Sequence, residues 1–416
     1  MATITVPGSG GSITLTTSGT ANQTLAQRIS NALAANPSLV ITPYSGSGAP
    51  PTVSGSNNDL NITTSGASVT VPAGYQFVTI GDGALAASIT GSPGIEVLAG
   101  SGGLTYTGVS GFQTVVAGGG GGVNDSVNLP TGSTAFVALG AGNDTVLSLG
   151  SGTIAAGGGN NVVSLGGSGT NLVISDGNDT VNAGSGNTTV AAYNTVGGIS
   201  VTGGSGPLVV GSNDAYTTVT GGSGPATIWG GSGQNLVTGG TGSILFVGSS
   251  AGGTTTVNAS SGPVTIFGGA GDDINYNNAG SVGSAVMVAF GGNETLNAAG
   301  SNVAVTLAAA AGNVSLVGGS ASDQLIAGAG SETLKGGAGN DSIFFWKGNA
   351  GGTDIITDFT SGSDVVILAG YGTGADTTAL GTLRTTGGSS TITLSDNTTI
   401  TFSNVTALTS ANFKII

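Results

Sequence analysis

Residues 221–247 read GGSGPATIW, GGSGQNLVT and GGTGSILFV, which are three successive units of nine residues. Each unit begins with a glycine-rich stretch and ends with a short run of mostly apolar or β-branched residues. The eighth position of the three units is Ile228, Val237 and Phe246. A turn of about six residues followed by a strand of about three predicts a coil made of two units, with one strand on each side.

The same repeat of nine extends over residues 147–191, 194–247 and 300–344. The eighth position is a large apolar residue in sixteen of sixteen units: Ile154, Val163, Leu172, Val181, Val190, Val201, Val210, Val219, Ile228, Val237, Phe246, Leu307, Leu316, Leu325, Leu334 and Ile343. We expect these side chains to point inward and to stack between parallel strands about 4.8 Å apart. The irregular stretch 248–293 is expected to form bulged coils or lateral loops.

The predicted fold class is therefore all-β, a parallel β-roll or β-helix solenoid of nine-residue half-coils. Three regions are predicted: an N-terminal cap or assembly region at 1–94, the glycine-rich solenoid at 95–345, and a β-rich C-terminal cap at 346–416. The N-terminal region is expected to be β-rich and to carry one short helix at about 21–36, since Leu25, Ile29 and Leu33 share a helical face. Strands are also predicted at 390–394 and 398–402.

Composition restricts the chemistry that the chain can perform. The 416 residues include 82 glycines, no cysteine and no histidine, and the formal net charge is −14 with only 5 lysines and arginines. Without His and Cys there is no Ser–His–Asp or Cys–His site, and no zinc site with imidazole or thiolate ligands. So few basic residues predict no nucleic-acid partner, and no apolar run is long enough for a transmembrane segment. The 19 carboxylates and the backbone carbonyls are ligands typical of a hard cation such as calcium.

One unit carries a recognisable motif. Residues 336–344 read GGAGNDSIF, and this stretch resembles the GGxGxDxUx nonapeptide of the RTX, or hemolysin-type calcium-binding, repeat proteins. The two preceding units, GGSASDQLI and AGAGSETLK, are in frame with it but imperfect, and GAGNDTV at 140–146 and DGNDTV at 176–181 are shorter matches. The resemblance implies a parallel β-roll in which Ca2+ lies between turns on the same side of adjacent coils.

That arrangement requires aspartates one coil apart. Asp323 and Asp341 meet this requirement, because they occupy the sixth position of two units with one other unit between them. The resemblance implies these two carboxylates as metal ligands, together with the backbone oxygens of four residues: Gly318, Ser320, Gly336 and Ala338. Asp144 and Asp179 lie near one coil from Asn161 on either side and are further metal candidates.

Other positions lack a carboxylate partner. Glu332 has Val314 one coil before it and Ala350 one coil after it, and neither supplies a carboxylate, so no site is expected there. The sixth positions of the units at 221–247 are Ala, Asn and Ile. Most coils are therefore expected to be stable without calcium, through apolar stacking.

The sequence GGTDIITDFTSGSDVVIL at 351–368 resembles the region that follows the repeats in proteins exported by type I secretion. The matching residues are Asp354, Ile356, Asp358, Phe359, Gly362 and Asp364, and the three aspartates are added to the metal candidates. The resemblance implies the type I secretion machinery as a partner and an extracellular or cell-surface location, reached without an N-terminal signal peptide. A simpler interpretation is a β-hairpin that caps the solenoid, and the two are compatible.

We therefore expect a secreted, calcium-binding structural or adhesive protein of the matrix, surface-layer or adhesin type, and not an enzyme. Its expected partners are calcium, further copies of itself or a cell-surface polysaccharide. One alternative is a β-helix enzyme acting on polysaccharides, for which Asp272–Asp273 is the only adjacent acidic pair. The other is an ice-binding solenoid, for which Thr254–Thr256 is an isolated run rather than a regular array.

Overall fold

The computed structural model describes residues 2–8, 11–17, 27, 31, 39–55, 57–81, 87–118, 122–192, 197–213, 216–280 and 282–416. The chain divides into two compact units, Met1–Asp214 and Ala215–Ile416. Within each unit, parallel strands wind into coils that contribute alternately to two sheets, which confirms the predicted β-solenoid class. No helix in the described ranges is long and apolar enough to cross a membrane.

The first unit begins with an antiparallel hairpin formed by β1 (Ala2–Gly8) and β2 (Gly11–Thr17). Two parallel sheets follow. Sheet 1A consists of β3 (Val40–Tyr44), β4 (Asn58–Ile62), β6 (Phe77–Ile80), β8 (Glu96–Ala99), β10 (Gly111–Val116), β12 (Ser133–Ala138), β14 (Ser151–Gly157), β16 (Asn171–Ser175), β18 (Thr188–Ala192) and β20 (Leu208–Ser212). Sheet 1B consists of β5 (Ala67–Thr70), β7 (Ala87–Thr90), β9 (Leu104–Thr107), β11 (Ser126–Leu129), β13 (Thr145–Ser148), β15 (Val162–Leu165), β17 (Asp179–Asn182) and β19 (Gly198–Thr202).

The second unit repeats this arrangement. Sheet 2A consists of β22 (Ala226–Trp229), β24 (Ile244–Val247), β26 (Val264–Gly268), β28 (Ala285–Ala289), β30 (Val305–Ala309), β32 (Gln324–Ile326), β34 (Ser342–Trp346), β36 (Val365–Ala369) and β40 (Phe413–Ile415). Sheet 2B consists of β21 (Tyr216–Thr220), β23 (Gln234–Thr238), β25 (Gly253–Asn258), β27 (Asp272–Asn278), β29 (Thr295–Ser301), β31 (Ser315–Val317), β33 (Thr333–Lys335), β35 (Thr353–Ile356), β37 (Arg384–Thr386), β38 (Ser389–Thr393) and β39 (Thr399–Phe402). Helix α1 (Ala375–Gly381) and a 3-10 turn (Ser410–Asn412) lie between its last strands.

The inward ladder forms as predicted at fifteen of the sixteen position-eight residues, whose exposed fractions are 0–1%. Ile228 pairs with Phe246, one coil of two nonapeptide units later. The prediction is wrong for Leu172, which is half-buried and faces outward, while Val173 points inward and pairs with Val190. The coil from Ile154 to its partner Val173 is one residue longer than two units. Because strand side chains alternate between faces, this one extra residue reverses the orientation of the strand.

This register can be tested with two alanine substitutions. Val173→Ala should lower the free energy of unfolding by about 2 kcal/mol because it leaves a cavity between buried side chains. Leu172→Ala removes more atoms but should cost only about 0.5–1 kcal/mol, since its side chain faces outward. Urea denaturation of the two variants measures the difference. A larger loss for Leu172→Ala would contradict the register.

The irregular stretch 248–293 does not interrupt the parallel sheets. The coil from Phe246 to its partner Ile266 is longer than two nonapeptide units, and the coil from Ile266 to Met287 is longer still. A bulge lies between Asn275 and Asn277 in β27. Longer turns and a bulge therefore absorb the extra residues, in agreement with the expected bulged coils.

Parallel pairing extends on both sides of the predicted repeat region 95–345. It begins at Val40, where β3 pairs with β4, and it still includes β40, which pairs with β36. The predicted helix at about 21–36 lies outside the described residues except for Gln27 and Asn31, which are helical. In the C-terminal region, β38 and β39 pair antiparallel near the predicted positions 390–394 and 398–402.

Candidate metal centre

Three aspartates form a column at the edge of sheet 2A, which we call the Asp column: Asp323, Asp341 and Asp364. They directly precede β32, β34 and β36, and all three are buried. Asp341 Oδ1 accepts a hydrogen bond from the Asp323 N–H at 2.8 Å, and Asp364 Oδ1 accepts one from the Asp341 N–H at 3.0 Å. The two aspartates that the sequence places one coil apart are therefore on adjacent turns, and Asp364 extends the column by one coil.

The second carboxylate oxygens of the column face the glycine turns. Asp323 Oδ2 accepts the Gly319 N–H at 2.6 Å. Asp341 Oδ2 is buried and has no hydrogen-bond partner among the described residues. It lies so close to Gly336 that a Cβ added there would be 2.2 Å from it. A buried anionic oxygen without a hydrogen-bond donor is costly, and a cation would compensate it.

Asp358 is not a member of the Asp column, but it contacts the same glycine turn as Asp341. Its carboxylate accepts the N–H groups of Gly336 and Gly337, both at 3.0 Å. The carboxylates of Asp341 and Asp358 therefore approach the same glycine turn from two directions. The structure thus brings together four of the predicted metal candidates: Asp323, Asp341, Asp358 and Asp364.

The predicted backbone ligands lie on two stacked turns. Gly318 and Ser320 belong to one turn, Gly336 and Ala338 belong to the turn one coil later, and the Ala338 N–H donates to the Gly319 carbonyl at 3.0 Å. Gly337 has a φ of +97°, and a Cβ there would be 2.0 Å from the Gly319 carbonyl oxygen. Glycine is required at this position because the turns stack backbone on backbone.

Burial and mutual repulsion act on the carboxylates of this cluster. Burial, with the neighbouring charges of Asp364, Asp323 and Asp358, raises the pKa of Asp341 to about 6, against the lowering effect of its hydrogen bond from the Asp323 N–H. Burial also raises the pKa of Asp323. Protons and a metal ion therefore compete for these carboxylates.

The donor set fits calcium better than a metal held by side chains alone. No three Asp or Glu side chains converge on one point within the described ranges. A cation in the Asp column would therefore take carbonyl oxygens from the stacked turns in addition to carboxylates. Calcium accepts six to eight oxygens of both kinds in flexible geometry.

A second acidic pair lies on the other side of the coil, in sheet 2B, and corrects a prediction. Thr333 pairs with Ile355, which places Asp354 one coil after Glu332 at a separation of 22 residues. Asp354 Oδ1 accepts the Glu332 N–H at 2.9 Å. Asp354 Oδ2 and both carboxylate oxygens of Glu332 are buried without a hydrogen-bond partner in the described part of the chain. The sequence missed this pair because counting two regular units from Glu332 leads to Val314 and Ala350.

Burial, together with the nearby Glu332 carboxyl, raises the pKa of Asp354 to about 8. Two carboxyl groups in one buried site must share a proton or a cation. Asp354 is therefore a metal candidate with Glu332 as its neighbour, and it does not belong to the Asp column. The glycine pair at 351–352, just before Asp354, is the sequence signal that could have located the turn.

This pair gives a direct test by titration. In the calcium-free protein, Glu332→Gln should lower the pKa of Asp354, because a neutral amide replaces a competing carboxyl group. The pKa should stay above its ordinary value, since burial remains the larger cause. Carbon NMR of the Asp354 carboxyl group measures the change, with Asp273→Asn on the outer face as the control. An unchanged pKa would show that the two groups do not interact.

The first unit contains a similar column of four residues in sheet 1B: Asp125, Asp144, Asn161 and Asp179. Asp144 Oδ1 accepts the Asp125 N–H at 2.7 Å, and Asn161 Oδ1 accepts the Asp144 N–H at 2.8 Å. Asp179 Oδ1 accepts both the backbone N–H and the side-chain amide of Asn161, at 2.9 and 2.8 Å. Asp179 Oδ2 also has a donor, the Ser175 hydroxyl.

The two predicted candidates of this column therefore differ. Both carboxylate oxygens of Asp179 are hydrogen-bonded, whereas Asp144 Oδ2 is buried and has no partner in the described ranges. Burial raises the pKa of Asp144 to about 6 and that of Asp125 to about 7. Asp125 was not identified from the sequence for two reasons. Only the short stretch VNDSV around it resembles the motif, and the spacing between Asp125 and Asp144 exceeds two regular units.

Comparison with known proteins agrees with this geometry. The family model for the RTX calcium-binding nonapeptide repeat matches four segments, residues 217–243, 250–281, 306–331 and 317–349. No curated protein matches the chain. Among solved structures, the extracellular lipase LipA from Serratia marcescens matches with 17% identity and a TM-score of 0.26, over 46% of this chain and 40% of the lipase chain.

The chain thus spans less than half of the lipase, and at this similarity the match does not bear on activity. The last two matched segments contain Asp323 and Asp341, the core of the Asp column. The repeat of nine, the buried aspartates and the stacked glycine turns all agree with these matched repeats. The chain carries RTX calcium-binding nonapeptide repeats, and calcium is its metal ion.

Proposed function

We propose that this chain is a secreted structural or adhesive protein of the cell exterior and that calcium completes its folding after export. The observation that carries the proposal is the distribution of carboxylates along sheet 2A. In each coil of sheet 2A, one residue lies two positions before the inward-facing residue of the ladder. This residue is apolar from Ala226 to Val305, and it is aspartate in the next three coils. Apolar coils need no metal, whereas the Asp column does.

This distribution suits transport between compartments of different calcium concentration. Where calcium is scarce, clustered buried carboxylates disfavour folding of the Asp column. Where calcium is abundant, its binding free energy becomes folding free energy. Extracellular calcium modules bind at about 10⁻⁴–10⁻³ M, which matches such a switch. Export by type I secretion is the route that the segment 351–368 suggests.

The absence of His and Cys from the sequence supports a non-enzymatic role. The adjacent pair Asp272 and Asp273 does not form a carboxylate dyad, because strand alternation buries Asp272 and exposes Asp273. Thr254–Thr256 pairs with Gln234–Leu236 on one side and with Asp273–Asn275 on the other. A regular threonine array of the kind that ice binding needs is therefore lacking around this run.

The proposal is tested on the full purified chain with about 10 mM calcium and with chelator. Circular dichroism should show a gain of β-structure with calcium, and electron microscopy should show assemblies only in its presence. Incubation with a panel of polysaccharides should give binding or no effect, without cleavage. Turnover of any polysaccharide, or dispersed particles in both conditions without polysaccharide binding, would contradict the proposed role.

A further inference from the structure

The outer face of sheet 2A carries a continuous apolar column across seven successive coils. We call it the outer column, and its members are Trp229, Val247, Phe267, Val288, Ala308, Ile326 and Phe344. All seven are half-buried or exposed, so that these side chains face away from the core. The calcium site does not use them. Such a contiguous patch on a strand surface marks an interaction site.

The opposite face of the same unit is different. The column of sheet 2B that likewise follows the inward-facing residues begins with Thr220, Thr238, Asn258 and Asn277. These four side chains are polar, and the Asn277 side-chain amide donates a hydrogen bond to Asn258 Oδ1 at 3.0 Å. The apolar character is therefore specific to sheet 2A and does not follow from the repeat as such.

The face of sheet 2A also presents a projection and a complementary groove. Phe290 is 59% exposed and packs against Phe267, with ring centroids 5.5 Å apart. Beside it lies an apolar groove of about 370 Å³ that includes Ala310, Ala329 and Trp346. Trp346 is 44% exposed and bounds the groove. One surface thus holds both an exposed aromatic ring and a shallow recess lined by small residues.

We propose that the outer face of sheet 2A binds a second copy of this chain in a symmetric dimer. A two-fold axis parallel to the strands, between β28 and β30, reverses the order of the coils. It sets Phe290 over the partner's Ala310, and reciprocally. Along the outer column it sets Val288 over the partner's Ala308, and Phe267 over the partner's Ile326. Large side chains then face small or medium ones, as a self-complementary interface requires.

Charge also favours a second copy on this face. The chain has a formal net charge of −14, so two copies associate most readily through a face that presents no charged side chain. The outer column and the parallel column beside it contain no ionised side chain; that second column is Thr227, Leu245, Thr265, Val286, Thr306, Gln324 and Ser342. On this face, two acidic chains can approach each other without bringing like charges together.

The size of the face limits the area that the contact can bury. The three strands on each side of the axis that face each other, β24, β26 and β28 with β30, β32 and β34, are spaced at about 4.8 Å. With roughly 15 Å of strand length they give a face of about 400–500 Å² per copy. Two copies would bury on the order of 1,000 Å² in total, which is near the lower limit for a specific interface. The dimer is therefore weak and concentration-dependent. This inference rests on the proposed function and supplies one contact, closed at the dimer, for the self-assembly that it includes.

The test is sedimentation velocity of the full chain in calcium, from about 1 µM to about 1 mM protein. The wild type should shift toward the dimer as concentration rises. Val286→Lys, at a site 42% exposed in the centre of the face, should remain monomeric. Leu236→Lys, at a site 40% exposed on sheet 2B, is the matched control and should dimerise like the wild type.

A second variant tests the projection without adding charge. Phe290→Ser should weaken dimerisation at least tenfold, because exposed aromatic residues are frequent hot spots. Calcium-dependent circular dichroism of every variant checks that the fold is retained.

A monomeric wild type throughout the concentration range would overturn the inference, as would equal effects of Val286→Lys and Leu236→Lys. Binding of the monomer to neutral lipid vesicles through this face, in place of self-association, would also overturn it. If calcium still induces folding in those cases, the proposed calcium role stands and only the dimer fails.

Discussion

Without calcium, the chain should be several kcal/mol less stable at about pH 8 than at about pH 5. The reason is the set of buried carboxyl groups. The pKa of Asp341 is raised to about 6 and that of Asp354 to about 8, in both cases mainly by burial. Each tenfold change in proton affinity corresponds to about 1.4 kcal/mol, so a few such groups have a large combined effect.

The sign follows from proton linkage. A carboxyl group with a raised pKa in the folded state binds more protons when folded than when unfolded. Its contribution to stability is complete below its ordinary pKa and is lost as pH rises through the folded value. For Asp341 and Asp354 the loss therefore extends from about pH 4 to about pH 8.

Calcium should remove most of this pH dependence at the Asp column, because the cation compensates the charges that protons no longer neutralise. Urea denaturation at the two pH values, in calcium and in calcium-free buffer prepared by dialysis, measures the effect. The double variant Asp341→Asn with Asp354→Asn is the control and should show a weaker pH dependence, of which Asp125 and Asp144 in the first unit supply a remaining part. Stability that rises with pH in the absence of calcium would contradict the burial of these groups.

Asp341→Asn should have opposite effects in the two conditions. In calcium it should weaken binding at least tenfold, a loss of at least about 1.4 kcal/mol, since a charged ligand at the centre of the Asp column becomes neutral. Without calcium, at about pH 8, it should leave stability unchanged or raise it, because the buried charge at this position is removed.

The first unit shows that asparagine is accommodated in such a column. Asn161 is buried, and its Oδ1 accepts the N–H one coil back as an aspartate would. Its side-chain amide also donates to the neighbouring Asp179. The backbone hydrogen bond that Asp341 accepts is therefore expected to survive in the variant.

Calcium titration followed by thermal melting measures both effects of Asp341→Asn. Asp273→Asn, an exposed change of the same type on sheet 2B, is the matched control and should alter neither quantity by more than about 0.5 kcal/mol. Equal calcium affinity of the Asp341 variant and the wild type would remove Asp341 from the metal site.

The site could be predicted from the sequence only where a coil consists of two regular nonapeptide units. Asp323 and Asp341 satisfy that spacing and lie on adjacent turns. Glu332 and Asp354 are 22 residues apart, and Asp341 and Asp364 are 23 apart, because the segment around Trp346 adds residues to the coil. Counting residues along the chain does not show which turn contains the extra residues. The length of a turn becomes visible only in the structure, through the register in which the next strand pairs.

Regular spacing of large apolar residues determined the fold class and nearly all of the inward ladder, because a residue every nine positions can face one core only if the chain coils with that period. Three features were decided by tertiary structure: the outward position of Leu172, the pairing of Glu332 with Asp354, and the apolar outer face of sheet 2A. In each case the physical reason is the same. Strand side chains alternate between faces, so the neighbour of a residue depends on the exact length of every preceding turn.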